Sequence, residues 1–209
     1  MYTYTFGGKS GKKYILHEST DMVAIRTRSA RSIKSAVSSS VGKKALKDLD
    51  LVLEFPEADI SVYRIRESIK DPTTLRDKAR MALKKEPELR FVGKVLVEAD
   101  GRTLVLYTEN IFIKFHDDVS AEACEKIIKD NDLKIKKKPD YAKNTYFAAA
   151  PENTGLRVFR IAESMLEMEE VELCHPELIR KRGFRVINPR QWHLMATQIN
   201  GIRINAGVK

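Results

Sequence analysis

Apolar positions along the chain fall into two alternating patterns whose order repeats. Residues 21–28, Asp-Met-Val-Ala-Ile-Arg-Thr-Arg, alternate as a short strand with one buried face. From Ser32 to Asp48, Ile33, Val37, Val41 and Ala45 recur at spacings of four and run on to Leu49, as on a helix. Ser38, Ser39, Ser40 and Gly42 are weak helix formers, so the centre of that stretch is expected to break or loop. Leu51–Phe55 predicts a strand stopped by Pro56, and Ile60, Val62, Tyr63 and Ile65 predict its hairpin partner. Asp71-Pro72 is a good helix start, an N-cap carboxylate followed by a proline whose missing N–H costs nothing at the first helical position. The stripe of that helix is Leu75, Ala79, Ala82 and Leu83, and it ends before Pro87. Glu88 to Val97 predicts a closing strand, and Asp100-Gly101 a turn into a further strand over 103–107.

The same order then begins again. Ile111–Phe115 predicts a strand, and Ser120 caps a helix carrying Ala123, Cys124, Ile127 and Ile128. Leu133–Lys136 and Thr145–Ala149 predict two strands joined by a basic connection that contains Pro139. Thr154 is the expected cap of a helix with Leu156, Val158, Phe159, Ala162, Met165 and Leu166 on one face. Glu170 to Leu173 predicts the last strand, leading into His175-Pro176.

Both halves thus read strand, helix, strand, strand, helix, strand, and corresponding strands recur 82 to 89 residues later. The expected class is α+β: two tandem ferredoxin-like β-α-β-β-α-β units, each an antiparallel sheet with helices on one face. The division expected is 1–107 for the first unit and 108–180 for the second, with 181–209 a basic tail. Each unit is small for a core of its own, so the two are expected to pack together through the 95–107 hairpin.

With 209 residues, 43% hydrophobic and 32% charged, the chain has the composition of a packed globular protein rather than a disordered or collagenous one. No apolar run approaches the roughly 18 residues of a membrane helix, and the first residues have no apolar stretch after a basic start. Two cysteines some fifty residues apart, Cys124 and Cys174, suit a reduced compartment, so the expected location is cytoplasmic, without membrane contact. The net charge of +9 suits nucleic acid, an acidic partner, or simply a lysine-rich solvated surface.

Catalytic chemistry is poorly supplied. His17, His116, His175 and His193 are scattered and no pair has metal-ligand spacing, so neither metal nor cofactor is expected. Cys174 and His175 are adjacent on a strand and point to opposite faces, which leaves Cys174 as a small core hydrophobe. Gly7-Gly-Lys-Ser-Gly-Lys-Lys lacks the glycine spacing of a phosphate loop and reads as a hairpin turn between Tyr4 and Tyr14. The alternative function is a basic ferredoxin-like RNA-binding module, since such sheets can stack bases on aromatic side chains. Arg182-Gly-Phe-Arg-Val186 partly imitates an aromatic RNA-binding strand, but it follows the second unit; of Tyr146 and Phe147 only one can face solvent. Nucleic acid is therefore the less favoured partner.

Val171-Glu-Leu-Cys-His-Pro-Glu-Leu-Ile-Arg180, followed by Asn188-Pro-Arg-Gln-Trp-His-Leu194, resembles the pro-region of subtilisin-like serine proteases (subtilases). In that family a β-α-β-β-α-β pro-domain ends in such a strand, and a Gln-Trp-His-Leu sequence opens the protease domain. The resemblance covers about 110–194, best in the second unit, and extends to Asn200-Gly-Ile-Arg-Ile-Asn-Ala206. The first unit resembles the additional pro-domain of some bacterial, notably cyanobacterial, subtilases. The resemblance implies a zymogen segment that speeds folding of the protease, in cis or in trans, and inhibits it. It implies that Glu177, Leu178, Ile179, Arg180, Lys181 and Arg182 lie in the protease cleft, Leu178 and Ile179 filling pockets. It also implies that Gln191, Trp192, His193 and Leu194 mark the protease-domain start. The chain itself contains no Asp-Thr/Ser-Gly, His-Gly-Thr or Gly-Thr-Ser-Met-Ala block, so no catalytic triad is expected in it.

Overall fold

The computed structural model describes residues 1–29, 32–66, 70–180, 197–199 and 202–204. Among these the fold is α+β, a mostly antiparallel nine-stranded sheet with five α-helices. The strands are β1 (Tyr2–Phe6), β2 (Lys12–Thr27), β3 (Leu49–Phe55), β4 (Ile60–Ile65), β5 (Leu89–Val97), β6 (Leu104–Phe115), β7 (Lys134–Lys137), β8 (Thr145–Ala149) and β9 (Val171–Arg180). The helices are α1 (Ile33–Ala36), α2 (Ser40–Lys47), α3 (Pro72–Leu83), α4 (Ala121–Asp130) and α5 (Arg157–Leu166). A separate hairpin, β10 (Thr197–Ile199) with β11 (Ile202–Ile204), follows.

The central path of the sheet is β3-β4-β2-β5-β6-β8-β7, with β1 on β2 and β9 on β6. The first half therefore runs β5-β2-β4-β3 and the second β9-β6-β8-β7. The 95–107 hairpin links them through Leu96 opposite Val105 and Val97 opposite Leu104.

Local chemistry explains most boundaries. Ser32 and Ser39 each accept a backbone N–H, from Ser35 and Gly42, so the serine-rich stretch yields two short helices rather than one. Asp71 caps α3 through the Thr74 amide, and Ser120 caps α4 through that of Ala123. The Gly7–Gly11 turn sets Tyr4 opposite Tyr14, with Gly7 and Gly8 at positive φ, a region glycine enters without cost.

Several expectations are corrected. Residues 12–27 form one long strand, because the front of β2 pairs with β1 while its end pairs with β4 and β5. The two strands expected over 103–107 and 111–115 are one strand, β6, which begins at Leu104 and takes β5 beside its first residues, β8 farther along and β9 on its other side. β9 reaches Arg180 rather than stopping at Leu173. Thr154 does not cap α5: its hydroxyl donates to the Pro151 carbonyl at 2.7 Å, and the Glu109 carboxylate accepts from the Gly155 amide instead. On α3 the buried face is Arg76, Ala79 and Leu83, with Ala82 only half-buried.

Three apolar clusters result. One joins β6, β8 and β9 to α4 and α5 around Ile111, Ile113, Phe115, Tyr146 and Met165. A second sits under α1–α3 around Val23, Ile25, Ile65 and Leu83. A third, with Met22, Ala24, Phe55, Val62, Val95 and Leu106, uses the alternate residues of the same strands and so lies on the opposite face.

Candidate interaction face

In the second half the two faces of the sheet differ in kind. Ile111, Ile113 and Phe115 on β6, Tyr146 and Ala148 on β8, and Val171 and Cys174 on β9 point toward the helices and are buried. The alternating residues point the other way: Asn110, Phe112 and Lys114 on β6, Phe147 on β8, Leu173 and His175 on β9. Register brings them together, since Phe112 stands opposite both Phe147 and His175.

The three rings form a half-buried platform. Phe112 stacks on His175 with centroids 5.1 Å apart and planes 21° apart, and meets Phe147 edge-on at 5.4 Å and 67°. Phe6, at the end of β1 and 58% exposed, meets the His175 ring at a tilt of 43° with centroids 5.5 Å apart. Charged groups frame the platform. Lys114 Nζ reaches Asp117 at 2.5 Å and Glu172 at 3.4 Å. Burial alone would lower the Lys114 ammonium, but these carboxylates outweigh it and raise it above its ordinary value.

β9 leads away from this platform and, among the described residues, is hydrogen-bonded as a strand along one side, to β6. Such a strand can hold Pro176, whose ring nitrogen has no proton to give a second neighbour. Along its other side runs β1, touching it through side chains. Arg180 Nη2 donates to the Tyr4 hydroxyl at 2.5 Å and pairs with Glu98 at 3.2 Å. Glu177 is fixed from below, accepting from Thr108 Oγ1 at 2.6 Å and Asn110 Nδ2 at 2.7 Å.

The residues expected in a protease cleft divide accordingly. Glu177, Leu178, Ile179 and Arg180 are extended and half-buried at the end of β9. Leu178 packs against the helix-side cluster and Ile179 against the opposite one, so both side chains are engaged by this chain's own cores. Lys181, Arg182 and the Gln191–Leu194 segment lie outside the described residues, as does the 182–186 stretch considered for RNA. Phe112 and Phe147 were not singled out as a pair by sequence reasoning. The signal available was their common position among alternating residues of two strands, which becomes a cluster only once β6, β8 and β9 are paired.

Among the described residues no group of three or more His, Cys, Asp or Glu side chains could hold a metal ion, and no helix is long and apolar enough to cross a membrane. Cys124 and Cys174 are free and buried; burial pushes the Cys174 thiol up to about 12, so it is no nucleophile.

No model of a known protein family matches the chain. It is similar to the Calcium-dependent protease of Trichormus variabilis and to that of a Nostoc species, 39% identical to each over 212 residues. These alignments take in 99% of this chain and 32% of each relative, so the chain spans about a third of the length of the curated relatives it matches.

Proposed function

We propose that this chain is the non-catalytic pro-region of a subtilisin-like serine protease, serving as folding assistant and active-site inhibitor of the catalytic domain. The observation that carries the reading is the partial match: nearly the whole chain aligns with about a third of two proteins named as proteases, while carrying no catalytic block of its own. The Phe112–Phe147–His175 platform supports it, because a half-exposed aromatic cluster on a rigid sheet is suited to covering apolar surface on a partner.

In this reading the chain comprises two tandem ferredoxin-like units, 1–107 and 108–180, followed by a linker and protease-domain start over 181–209. The matching strand orders β5-β2-β4-β3 and β9-β6-β8-β7 support it. The second unit lays its open face on the catalytic domain. The Glu177–Arg182 segment leads the backbone into the substrate cleft as an extended strand, a recurrent way for one chain to occupy another's edge. Glu177 and Arg180 fix the direction of departure; Lys181 and Arg182 continue it. The setting is cytoplasmic and reducing, with both thiols free. RNA binding is not favoured, since the relatives are named as proteases.

Refolding tests the reading. The Nostoc relative, deprived of the third that this chain matches, is denatured and diluted with or without the purified chain. Recovery of proteolytic activity that rises with added chain supports the proposal. Recovery unchanged at a large molar excess overturns it.

A further inference from the structure

Between the two halves, on the helix side of the sheet, lies a cavity of about 220 Å³. One wall is α3, through Arg80 and Lys84; another is β5, through Arg90 and Lys94; α5 contributes Arg157 at its start. Five cations thus face one carboxylate, Glu109. We propose that this cavity binds a small multivalent oxyanion of the phosphate class, held between the two halves of the sheet.

The local charges are poorly balanced. Lys94 is committed to Glu18 at 2.6 Å; among the described residues Arg80 has only Asp77 at 3.9 Å, beyond hydrogen-bonding distance, and its buried Nε has no hydrogen-bond partner. Among the described residues Lys84, Arg90 and Arg157 form no ion pair; Arg157 reaches only the Thr154 carbonyl, at 3.4 Å. Glu109 is a weak counter-ion: its Oε1 is occupied by the Gly155 amide at 2.7 Å, and burial pushes its carboxyl above the ordinary range. Burial, and then the neighbouring Arg80, hold the Lys84 ammonium below its usual value, with Glu109 opposing them. A monovalent anion would leave most of this charge unanswered. A phosphate group brings two charges and several acceptor oxygens, and planar guanidinium groups can engage them in pairs.

Such a ligand would touch α3 and β5 from one half and α5 from the other, and so would stabilise their junction by mass action. The test is thermal unfolding of this chain with sodium phosphate, pyrophosphate or ATP, at ionic strength fixed with sodium chloride. A saturable rise in midpoint with pyrophosphate is expected, together with loss of about tenfold in affinity (about 1.4 kcal/mol) in Lys84→Gln and, separately, in Arg90→Gln. Arg90 is exposed, so its variant reports on the site where Lys84→Gln alters folding. A response to ATP as well as pyrophosphate identifies a phosphate ester as an acceptable ligand; response to the inorganic ions alone identifies a free-phosphate site. Midpoints that follow ionic strength alone, or variants that bind as tightly as the parent, overturn the proposal.

Discussion

Phe112 on β6 and His175 on β9 stack with centroids 5.1 Å apart, on the sheet face opposite α4 and α5, and Phe147 closes the cluster from the neighbouring strand. None of the three rings belongs to the buried cores, so the two phenylalanines can be changed without opening a large cavity. Replacing Phe112 and Phe147 by Ser is expected to weaken inhibition of the relative's catalytic part at least tenfold, as loss of central aromatic anchors does at interfaces. Urea unfolding is expected to show a cost of about 1–2 kcal/mol, from partial burial and the ring–ring contact. Full inhibition by a folded double variant would remove this face from the interface.

Glu86 is 3% exposed and accepts hydrogen bonds from the Ser38 amide at 2.9 Å, the Ser39 amide at 3.3 Å and both serine hydroxyls. It sits where α2 begins, binding α2 to the end of α3. Burial alone would raise its carboxyl, but the bonds from Ser39 and Ser38 outweigh it and hold it below the ordinary carboxylate value. A depressed carboxylate contributes stability that is present above its unfolded pKa and is lost as pH falls through its folded one. Glu86→Gln is therefore expected to cost about 2 kcal/mol at pH 7. The gap between variant and parent in urea titrations should close as pH drops below about 4. A gap independent of pH would contradict the assignment.

Arg76, 2% exposed on α3, donates to the Ser19 carbonyl and pairs with Asp77 at 2.9 Å and Glu18 at 3.6 Å. Glu18 also receives Lys94 at 2.6 Å and the Tyr2 hydroxyl at 2.7 Å, so one carboxylate joins β1, β2, β5 and α3. Burial would raise Glu18, but Lys94, Tyr2 and Arg76 more than offset it and lower its carboxyl. Arg76→Ala is expected to destabilise the chain by about 3 kcal/mol, by emptying the buried space the side chain fills and leaving the Ser19 carbonyl without its donor. The unfolding midpoint should fall with the denaturant slope unchanged; a shift within error would contradict the role given to this network.

Cys124 is fully buried and Cys174 is 3% exposed, and burial raises both thiols. Since the thiolate is the reacting form, a thiol reagent at pH 8 should titrate no fast cysteine in the native chain and two in denaturant. One fast native thiol would mean that the helix-side core of the second half is more open than described.

Local signals made much of this fold legible. The Ser38–Ser40 break, the Asp71-Pro72 and Ser120 helix starts and the Gly7–Gly11 turn all depend on neighbours within four residues, and all form where the pattern put them. What sequence reading missed depends on distant partners. β2 and β6 are long because different strands flank their two ends, which no local alternation can reveal. Arg76 looks like a surface helix residue until Ser19 and Glu18 arrive from β2. Of the candidate site, the start of β9 over Val171–Leu173 was visible in the alternation, while its extension to Arg180 was not. The engagement of Leu178 and Ile179 by two different cores was not, because it requires β9 to pair along the full length of β6.

The most direct test is an inhibition titration. The Nostoc protease lacking its matching third is assayed on a peptide substrate with increasing amounts of this chain. The account predicts that hydrolysis falls to near zero at about one equivalent, and that Phe112→Ser/Phe147→Ser shifts the curve to much higher concentration. Undiminished hydrolysis, with the chain folded and in large excess, would contradict it.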